Sequence, residues 1–340
     1  MREVKTLKLE QIHLELTKKC NLKCRHCVVD ADTGGAELPY AIVENAICDA
    51  IEVGLEGVTL SGGEPFVHSD ILRIVRFLKG KKLSITLQTN GTLVTEKVVN
   101  DLKELLSDPD NICVSLYGAD EKSHEYFTNV SGSFQKTIKN IQLLVESNLL
   151  MYINASVHPG NISQMSKMIE LCKNLGIKRI EFGSIINLGR AEECLVIGPK
   201  EVDKIKSEIK KISSKPYVNL RKIEKITGET TCGAGISGCS ITTEGDVFPC
   251  PLFNGFYDFC AGNLYTKSLK EIWESPESEL FQKLRTIKRS EILAGCNGCK
   301  VYDYCYGGCR ARALLNTGSV TDIDWFSHHW LKVLDEGLPK

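Results

Sequence analysis

The first half of the chain alternates between two kinds of hydrophobic pattern. Short apolar runs, typical of buried strands, are separated by stretches in which apolar residues recur every three or four positions, as on one face of a helix. The predicted strands are Gln11–Leu16, Gly57–Leu60, Leu83–Gln88, Ile112–Leu116, Met151–Val157 and Arg179–Gly183. The predicted helices are Pro39–Val53, Asp70–Leu78, Glu96–Leu106, Phe134–Ser147 and Ser163–Leu175. Strands that alternate with helices predict parallel strands joined by right-handed crossovers, so we expect an α/β fold, a partial (β/α)6 TIM-like barrel.

The pattern changes in the second half of the chain. Residues Pro199–Ile212 carry apolar side chains at helical spacing and predict a linking helix. After Thr230 the sequence is rich in cysteine and glycine, with a predicted hairpin turn at Gly245 and a predicted helix from Ser268 to about Arg285. We therefore expect a barrel at residues 1–195, a linking region at 196–230 and a cysteine-rich domain at 231–340.

The unusual loops of the first half each follow a predicted strand. They are Thr17–Cys27, Ser61–Pro65, Thr89–Gly91 and Tyr117–Asp120. Chemistry in α/β barrels takes place at the carboxyl ends of the strands, so these loops predict one shared site.

Composition excludes several classes of protein. The formal net charge of −1 gives no reason to expect binding to nucleic acid or to an anionic membrane. The N-terminus has no apolar segment of the kind found in secretory signals, and no apolar run approaches the roughly 20 residues that span a bilayer. We expect a cytoplasmic protein.

Fifteen cysteines are unusual for such a protein, because disulfides are rare in a reducing compartment. Three lie within eight residues near the start, and eight fall between Cys232 and Cys309. Such clusters indicate metal binding. Of the four scattered cysteines, Cys48 and Cys172 are predicted on the core faces of helices and Cys113 in a strand.

The first cluster places Cys20, Cys24 and Cys27 on a short loop after the first strand. A [4Fe–4S] cluster takes four ligands, so three thiolates leave one iron with an open coordination position, which is the mark of a catalytic site. From the spacing alone, a zinc loop with a distant fourth ligand and an electron-transfer cluster remain alternatives.

Neighbouring motifs extend the pattern. The run Cys20-Asn21-Leu22-Lys23-Cys24-Arg25-His26-Cys27 resembles the CxxxCxΦC motif of the radical S-adenosylmethionine superfamily, with His26 at the aromatic position. Ser61-Gly62-Gly63-Glu64-Pro65 looks like the GGEP motif of that family. Gln88–Gly91 and Val114–Gly118 are similar to its third and fourth strand ends.

The resemblance implies a [4Fe–4S] cluster on Cys20, Cys24 and Cys27 whose open iron binds S-adenosylmethionine. Reductive cleavage would give a 5′-deoxyadenosyl radical, which abstracts hydrogen from the substrate. The implied contacts to S-adenosylmethionine are Gly62, Gly63, Glu64, Ser115, His26, Asn154 and Ile185. Ser115 and Asn154 can also be read as strand-end residues without a ligand, and no hydrogen donor or base is identified.

The second set follows a longer spacing. Cys232 and Gly245-x4-Cys250 precede Cys296-x2-Cys299-x5-Cys305-x3-Cys309. This arrangement resembles the SPASM domain, which holds two auxiliary iron–sulfur clusters, with a zinc double knuckle as the alternative. Similarity implies one cluster on Cys232, Cys239, Cys250 and Cys309, and a second on Cys296, Cys299 and Cys305. No cysteine follows Cys309, so the fourth ligand of the second cluster remains open among Asp322, Asp324, His328, His329, Cys260 and the substrate.

The substrate is less well indicated than the chemistry. SPASM-type enzymes most often modify ribosomally made peptides or protein side chains by cross-linking, epimerisation or oxidation, and this is the first hypothesis. The alternatives are decarboxylation or dehydrogenation of a small molecule, such as a tetrapyrrole side chain or a sugar-derived metabolite, and a non-catalytic electron-transfer protein. The first strand begins by Gln11, so we expect leader-peptide recognition by a separate protein or by the barrel mouth. We also expect a low-potential electron donor, such as flavodoxin or ferredoxin.

Overall fold

Six parallel strands form the central sheet of the first half of the chain. A computed structural model describes residues 7–213, 232–292, 305 and 307–326. The strands are β1 Gln11–Thr17, β2 Gly57–Gly62, β3 Ser84–Thr89, β4 Asn111–Ser115, β5 Met151–Val157 and β6 Ile180–Ser184. Each pairs in parallel with its neighbour in the sequence, giving the order β6-β5-β4-β3-β2-β1. The six predicted strands are confirmed to within two residues at each end.

Helices connect these strands in the manner of a β/α barrel. They are α1 Tyr40–Glu52, α2 Ile71–Gly80, α3 Glu96–Leu105, α4 Glu121–Thr128, α5 Ser133–Glu146, α6 Met165–Asn174 and, after the last of the six strands, α7 Val202–Ser213. Their apolar faces cover the strands. In α2, for example, the buried residues Ile71, Ile74, Val75 and Leu78 recur at helical spacing.

Helix α4 was not predicted, because its eight residues are too polar to show apolar periodicity. Its beginning carries a recognisable signal, since the Asp120 side chain accepts the Ser123 N–H at 2.8 Å and so caps the first turn. The helix buries His124 and Phe127 and places both next to the functional site.

The barrel is open, because β6 lies at the edge of the sheet and β1 pairs with a strand of the C-terminal part. That strand is β7 Gly238–Ile241, and Gln11 of β1 pairs with Gly57 on one side and Gly238 on the other. Two short antiparallel strands follow, β8 Asp246–Phe248 and β9 Gly262–Asn263. The predicted hairpin is confirmed, with Gly245 at φ +81° in its turn.

The prediction of one helix from Ser268 to about Arg285 is wrong. The structure has two, α8 Leu269–Glu274 and α9 Glu279–Thr286, followed by α10 Arg289–Ile292 and α11 Arg310–Thr317. Pro276 lies in the break, where it has no N–H to donate within a helix and its ring disfavours a continuous one. Ser268 and Ser278 begin the two helices by accepting N–H groups of Glu271 and Phe281.

Two of the three predictions for scattered cysteines hold. Cys113 and Cys172 are buried, whereas Cys48 is exposed. The buried positions of α1 are Val43, Ala46, Ile47 and Ala50, and Cys48 falls outside that stripe, so its assignment to the core was wrong. Across the described ranges, none of the helices is long and apolar enough to cross a membrane.

Candidate active site

Side chains of all six barrel strands meet around one cavity of about 460 Å³. Those that the strands contribute are His13, Glu15, Ser61, Gln88, Thr89, Ser115, Asn154, Ser156 and Ser184. Branched apolar residues normally fill the interior of a closed barrel. A polar interior of this kind indicates space for a ligand.

The loop after β1 brings three thiol groups to the cavity wall, those of Cys20, Cys24 and Cys27. Burial raises the pKa of Cys20 to about 11 and that of Cys24 to about 12. The neighbouring thiols of Cys20 and Cys27 raise the pKa of Cys24 further. A cationic metal would reverse this effect and favour the thiolates, so the donor set fits an iron–sulfur cluster.

A segment after β6 holds this cysteine loop in place. The Arg190 backbone N–H donates to the Cys27 carbonyl at 3.0 Å, and its side-chain Nε donates to the Cys24 carbonyl at 3.2 Å. Gly189 has φ +58°, and a Cβ atom there would overlap the Cys27 carbonyl oxygen. Nothing in the sequence pattern predicts this contact, and Arg190 also lines the cavity.

Gly62 and Gly63 line the cavity at the end of β2. Gly62 has φ +127°, and a Cβ atom at either glycine would overlap backbone of the Thr17–Lys19 segment. The absence of side chains therefore also allows the end of β2 to approach the start of the cysteine loop.

Glu64 is fully buried beside the cavity, where its side chain is hydrogen-bonded to the end of β3. Its carboxylate accepts the Thr89 hydroxyl at 2.7 Å, the Asn90 N–H at 2.8 Å and the Phe66 N–H at 3.2 Å. Burial raises the pKa of Glu64 to about 7, and these three donors oppose that rise. The structure thus shows Glu64 joining the ends of β2 and β3.

The other residues proposed from the resemblance lie in the wall of the same cavity: Ser115, Asn154, His26 and Ile185. Ser115 and Asn154 are paired neighbours on β4 and β5. The His26 ring packs against Phe127, with ring centroids 4.3 Å apart. Burial lowers the pKa of His26 to about 3, so the ring is neutral.

Several buried polar atoms of the cavity wall have no hydrogen-bond partner among the described residues. They are His13 Nδ1, His26 Nδ1, Ser184 Oγ and Arg190 Nη2. An unsatisfied buried polar group costs about 1–3 kcal/mol, so four on one wall favour occupation by a polar ligand. S-adenosylmethionine, with amino, carboxylate and hydroxyl groups, has the chemistry to satisfy them.

Glu15 connects the cavity to the C-terminal part of the chain. Its side chain is 2% exposed and accepts a hydrogen bond from Asn254 Nδ2 at 2.6 Å. Burial raises the pKa of Glu15 to about 7. Sequence reasoning missed Glu15 and His13, although polar residues at every second position of β1 were a visible signal of a polar strand face.

Part of the second cysteine set is brought together behind the cavity. Cys232, Cys250 and Cys309 pack against one apolar cluster of the C-terminal part, which includes Phe248 and Phe253. Burial and then the thiols of Cys232 and Cys309 raise the pKa of Cys250 to about 12. Cys260 packs on the same apolar cluster, whereas Cys239 lies on β7 and packs into the main core. Pro251 and Leu252, which follow Cys250, reach the wall of the central cavity.

The second auxiliary site is described only in part. Cys305 is buried, while Cys296, Cys299, His328 and His329 lie outside the described residues. Of the fourth-ligand candidates, Asp324 is fully buried and accepts the Cys309 N–H through Oδ2 at 3.1 Å. It also pairs with Arg312 at 3.4 Å. Asp324 thereby supports the loop that carries Cys309.

Two family models match the chain. The model of the radical SAM superfamily matches residues 14–172, and that of the SPASM iron–sulfur cluster-binding domain matches residues 232–300. Together they include the three cysteines of the first loop and the cysteines from Cys232 to Cys299.

Curated relatives and solved structures agree with these matches. The chain is 29% identical to an AdoMet-dependent heme synthase of Methanosarcina barkeri, over 89% of this chain and 92% of the relative. It is 27% identical to the subtilosin biosynthesis protein AlbA of Bacillus subtilis, over 88% of this chain and 67% of that protein. The structure of Streptococcus suis SuiB bound to its precursor peptide SuiA superposes with a TM-score of 0.73 at 18% identity, covering 95% and 76% of the two chains.

Proposed function

The chain belongs to the radical S-adenosylmethionine superfamily and carries a SPASM domain, and from this we propose that it abstracts hydrogen from a side chain of a ribosomally made peptide or protein. When bound, the [4Fe–4S] cluster and S-adenosylmethionine supply a one-electron cleavage that produces a carbon-centred radical. The outcome for the substrate would be a cross-link, an epimerisation or an oxidation.

In this proposal, the protein positions the cofactor through groups on the cavity wall. Cys20, Cys24 and Cys27 hold the cluster. The residues proposed to contact S-adenosylmethionine are Gly62, Gly63, Ser115, Asn154, Ile185 and the backbone around His26, all of which line the cavity. Glu64 is proposed to act by fixing the ends of β2 and β3, since its carboxylate is already bonded to Thr89 and Asn90.

The observation that favours a peptide is the size and charge of the cavity. The cavity of about 460 Å³ is partly open, so one side chain of a larger molecule can enter it while the rest of that molecule stays outside. Among the described residues that line it, Arg190 is the one arginine or lysine, and Glu15 adds a carboxyl group. With one arginine and one carboxyl group, this wall suits a neutral side chain better than a polyanion.

A second candidate is radical chemistry on a tetrapyrrole side chain. The heme synthase of Methanosarcina barkeri supports it, because the match covers nearly all of both chains. A tetrapyrrole with several carboxylate side chains would need cationic partners, and the described part of the cavity wall offers Arg190 for this role.

Product analysis tests both candidates. The protein would be reconstituted with iron and sulfide without oxygen, reduced with dithionite and given S-adenosylmethionine. We expect release of 5′-deoxyadenosine, and none from a variant with Cys20, Cys24 and Cys27 changed to alanine. A reconstituted protein that releases none would refute the proposed chemistry.

Substrate class is tested with two panels in the same assay, synthetic precursor peptides and carboxylated porphyrins. Stimulation of 5′-deoxyadenosine release by a peptide, with a mass change in that peptide, supports the first candidate. Stimulation by a porphyrin alone supports the second. Flavodoxin or ferredoxin is the proposed physiological reductant, and a separate leader-peptide-binding protein is a proposed partner.

The auxiliary cysteines are proposed to hold two further clusters. Cys232, Cys239, Cys250 and Cys309 would hold one, and Cys296, Cys299 and Cys305 the other. Iron analysis of the variant that lacks the first three cysteines should still find these clusters. A zinc-loaded, iron-free variant would contradict this assignment.

A further inference from the structure

A second, smaller cavity lies next to the central one. It measures about 170 Å³, and the two cavities share Glu15, Val28 and Val29 in their walls. Its other side belongs to the C-terminal part and includes Asn254 and Tyr257. Val28 is 37% exposed and Tyr257 is 68% exposed, so the smaller cavity opens to the surface. Because the walls are shared, a molecule that occupies the central cavity can extend into the smaller one.

Carboxyl groups dominate the wall of this smaller cavity. They belong to Glu15, Asp30, Glu244 and Asp246. Lys18 is the one lysine or arginine among the described residues that line the cavity, and it is already paired with Glu244 at 2.6 Å. Asp30 and Asp246 also have partners, an arginine at 3.0 Å and an asparagine amide at 2.7 Å. The excess of carboxyl groups favours a cationic ligand.

Glu15 has an acceptor atom that is not in use. Its Oε1 accepts the Asn254 Nδ2–H at 2.6 Å, whereas its Oε2 has no hydrogen-bond partner among the described residues. Oδ1 of the same Asn254 amide group is buried and also lacks a partner among them. Glu15 is 2% exposed, so little water reaches it. An unsatisfied buried polar group costs about 1–3 kcal/mol, and two neighbouring acceptors without donors therefore favour a ligand that carries N–H groups.

We propose that the smaller cavity binds the ammonium or guanidinium group of a substrate lysine or arginine close to the modified residue, with Glu15 as its carboxylate partner. This inference rests on the proposed function, in which the substrate is a peptide. The smaller cavity lies below the roughly 300–1,000 Å³ of complete ligand pockets, so it suits the end of one side chain. Burial raises the pKa of Glu15 to about 7, and a bound cation would favour its ionised form.

The test uses two small probes, N-acetyl-lysine methylamide and N-acetyl-norleucine methylamide, of which only the first carries an ammonium group. Their dissociation constants for the reconstituted holoprotein are measured at pH 8 by saturation-transfer nuclear magnetic resonance. We expect wild type to bind the lysine probe about 10-fold more tightly than the norleucine probe, as is typical of a charge-assisted hydrogen bond. The variant Glu15→Gln should reduce this preference to less than about twofold, because an amide carries no charge.

Two further variants complete the test. Glu244→Gln leaves Lys18 without its carboxylate partner in the same cavity, so the preference for the lysine probe should fall about two- to fivefold. The Glu244 side chain is 43% exposed, and this variant replaces Glu15→Gln if the latter does not retain its iron. Glu104→Gln removes the same charge at an exposed position of α3 and should keep the wild-type preference.

Several results would overturn the inference. One is wild-type protein that binds both probes equally or binds neither, and another is a preference for the lysine probe that Glu15→Gln leaves unchanged. A third is a peptide that the protein modifies although it has no lysine or arginine within about three residues of the modified position, since an extended chain advances only about 3.3–3.6 Å per residue. The proposed function fails separately. If only a porphyrin stimulates 5′-deoxyadenosine release, the peptide substrate is refuted whatever the probes show.

Discussion

Burial shifts the pKa of four ionisable residues around the cavity toward their neutral forms. Burial lowers the pKa of His13 to about 4 and that of His26 to about 3, and it raises the pKa of Glu15 and Glu64 to about 7. Each group responds in the direction that removes its charge from a poorly solvated site. The two histidines are therefore neutral at pH 7, whereas Glu15 and Glu64 gain or lose a proton near that pH.

Glu15 gives a pH-dependent prediction. Because its pKa is raised from 4.5 to about 7 in the folded protein, its contribution to stability is fully present below pH 4.5 and is lost as the pH rises through 7. The variant Glu15→Gln has no such group. Between pH 5.5 and pH 8, its free energy of unfolding should therefore rise by about 2 kcal/mol relative to wild type, on the scale of 1.36 kcal/mol per pKa unit.

Denaturant unfolding of the two reconstituted proteins at each pH measures this difference. Glu104→Gln, a change at an exposed glutamate, is the matched control and should show no such trend. A pH-independent difference between Glu15→Gln and wild type would show that the Glu15 pKa is not raised.

At the scale of elements, strands were easier to predict than the breaks and short helices between them. Each of the six barrel strands carries closely spaced apolar residues, a local signal that the hydrophobic pattern detects. Helix α4 depends on a capping side chain, and the break at Pro276 depends on a missing N–H. The spacing of apolar residues contains neither signal. The segment after β6 shows the same limit, because nothing in its own pattern indicates that it packs on a loop at the start of the chain.

Gly189 in that segment gives a prediction about cluster assembly. Alanine at this position would adopt φ +58° at a cost, and its Cβ atom would overlap the carbonyl oxygens of Cys27 and Val28. The cysteine loop must then move. We expect Gly189→Ala to retain less than about half of the iron of the first cluster and to be destabilised by about 1–3 kcal/mol.

Gly183→Ala is the matched control on β6. Gly183 lies outside the positive-φ region, and a Cβ atom there would meet nothing within 4 Å, so this variant should keep its iron and its stability. Iron and sulfide analysis after identical reconstitution provides the measurement. Equal iron contents in the two variants would show that Gly189 does not limit the position of the loop.

At the scale of the whole molecule, local motifs revealed part of the site and tertiary contacts formed the rest. Cys20 to Cys27 and Gly62 to Glu64 are short runs whose chemistry can be read directly. The bond from Arg190 to the Cys24 carbonyl joins residues 166 positions apart, and that from Asn254 to Glu15 joins residues 239 apart. These hydrogen-bond partners meet only when the complete chain packs, so they cannot be predicted from the local sequence pattern.

The barrel and the C-terminal part share one hydrophobic core. Strand β7 pairs with β1, Lys270 of α8 forms an ion pair with Glu52 of α1 at 2.8 Å, and buried residues of both parts belong to the same apolar cluster. Trp273 is 1% exposed, and its Nε1 donates to the Leu7 carbonyl just before β1 at 2.6 Å. Such a shared core should make the two parts unfold together.

Trp273→Ala tests this coupling, because it opens a cavity in the core between the two parts. We expect a loss of about 3–5 kcal/mol, against about 1 kcal/mol for Trp273→Phe, which keeps an aromatic ring and loses the bond to Leu7. The test uses protein in which Cys20, Cys24 and Cys27 are changed to alanine, so that the visible absorbance follows only the proposed clusters of the C-terminal part, while far-ultraviolet circular dichroism follows mainly the α/β barrel. In both variants the two signals should shift to lower denaturant concentration together, since a core that spans both parts cannot be weakened in one alone. If the cluster absorbance were lost first while the barrel signal kept its wild-type midpoint, the two parts would be independent units despite the strand pairing between them.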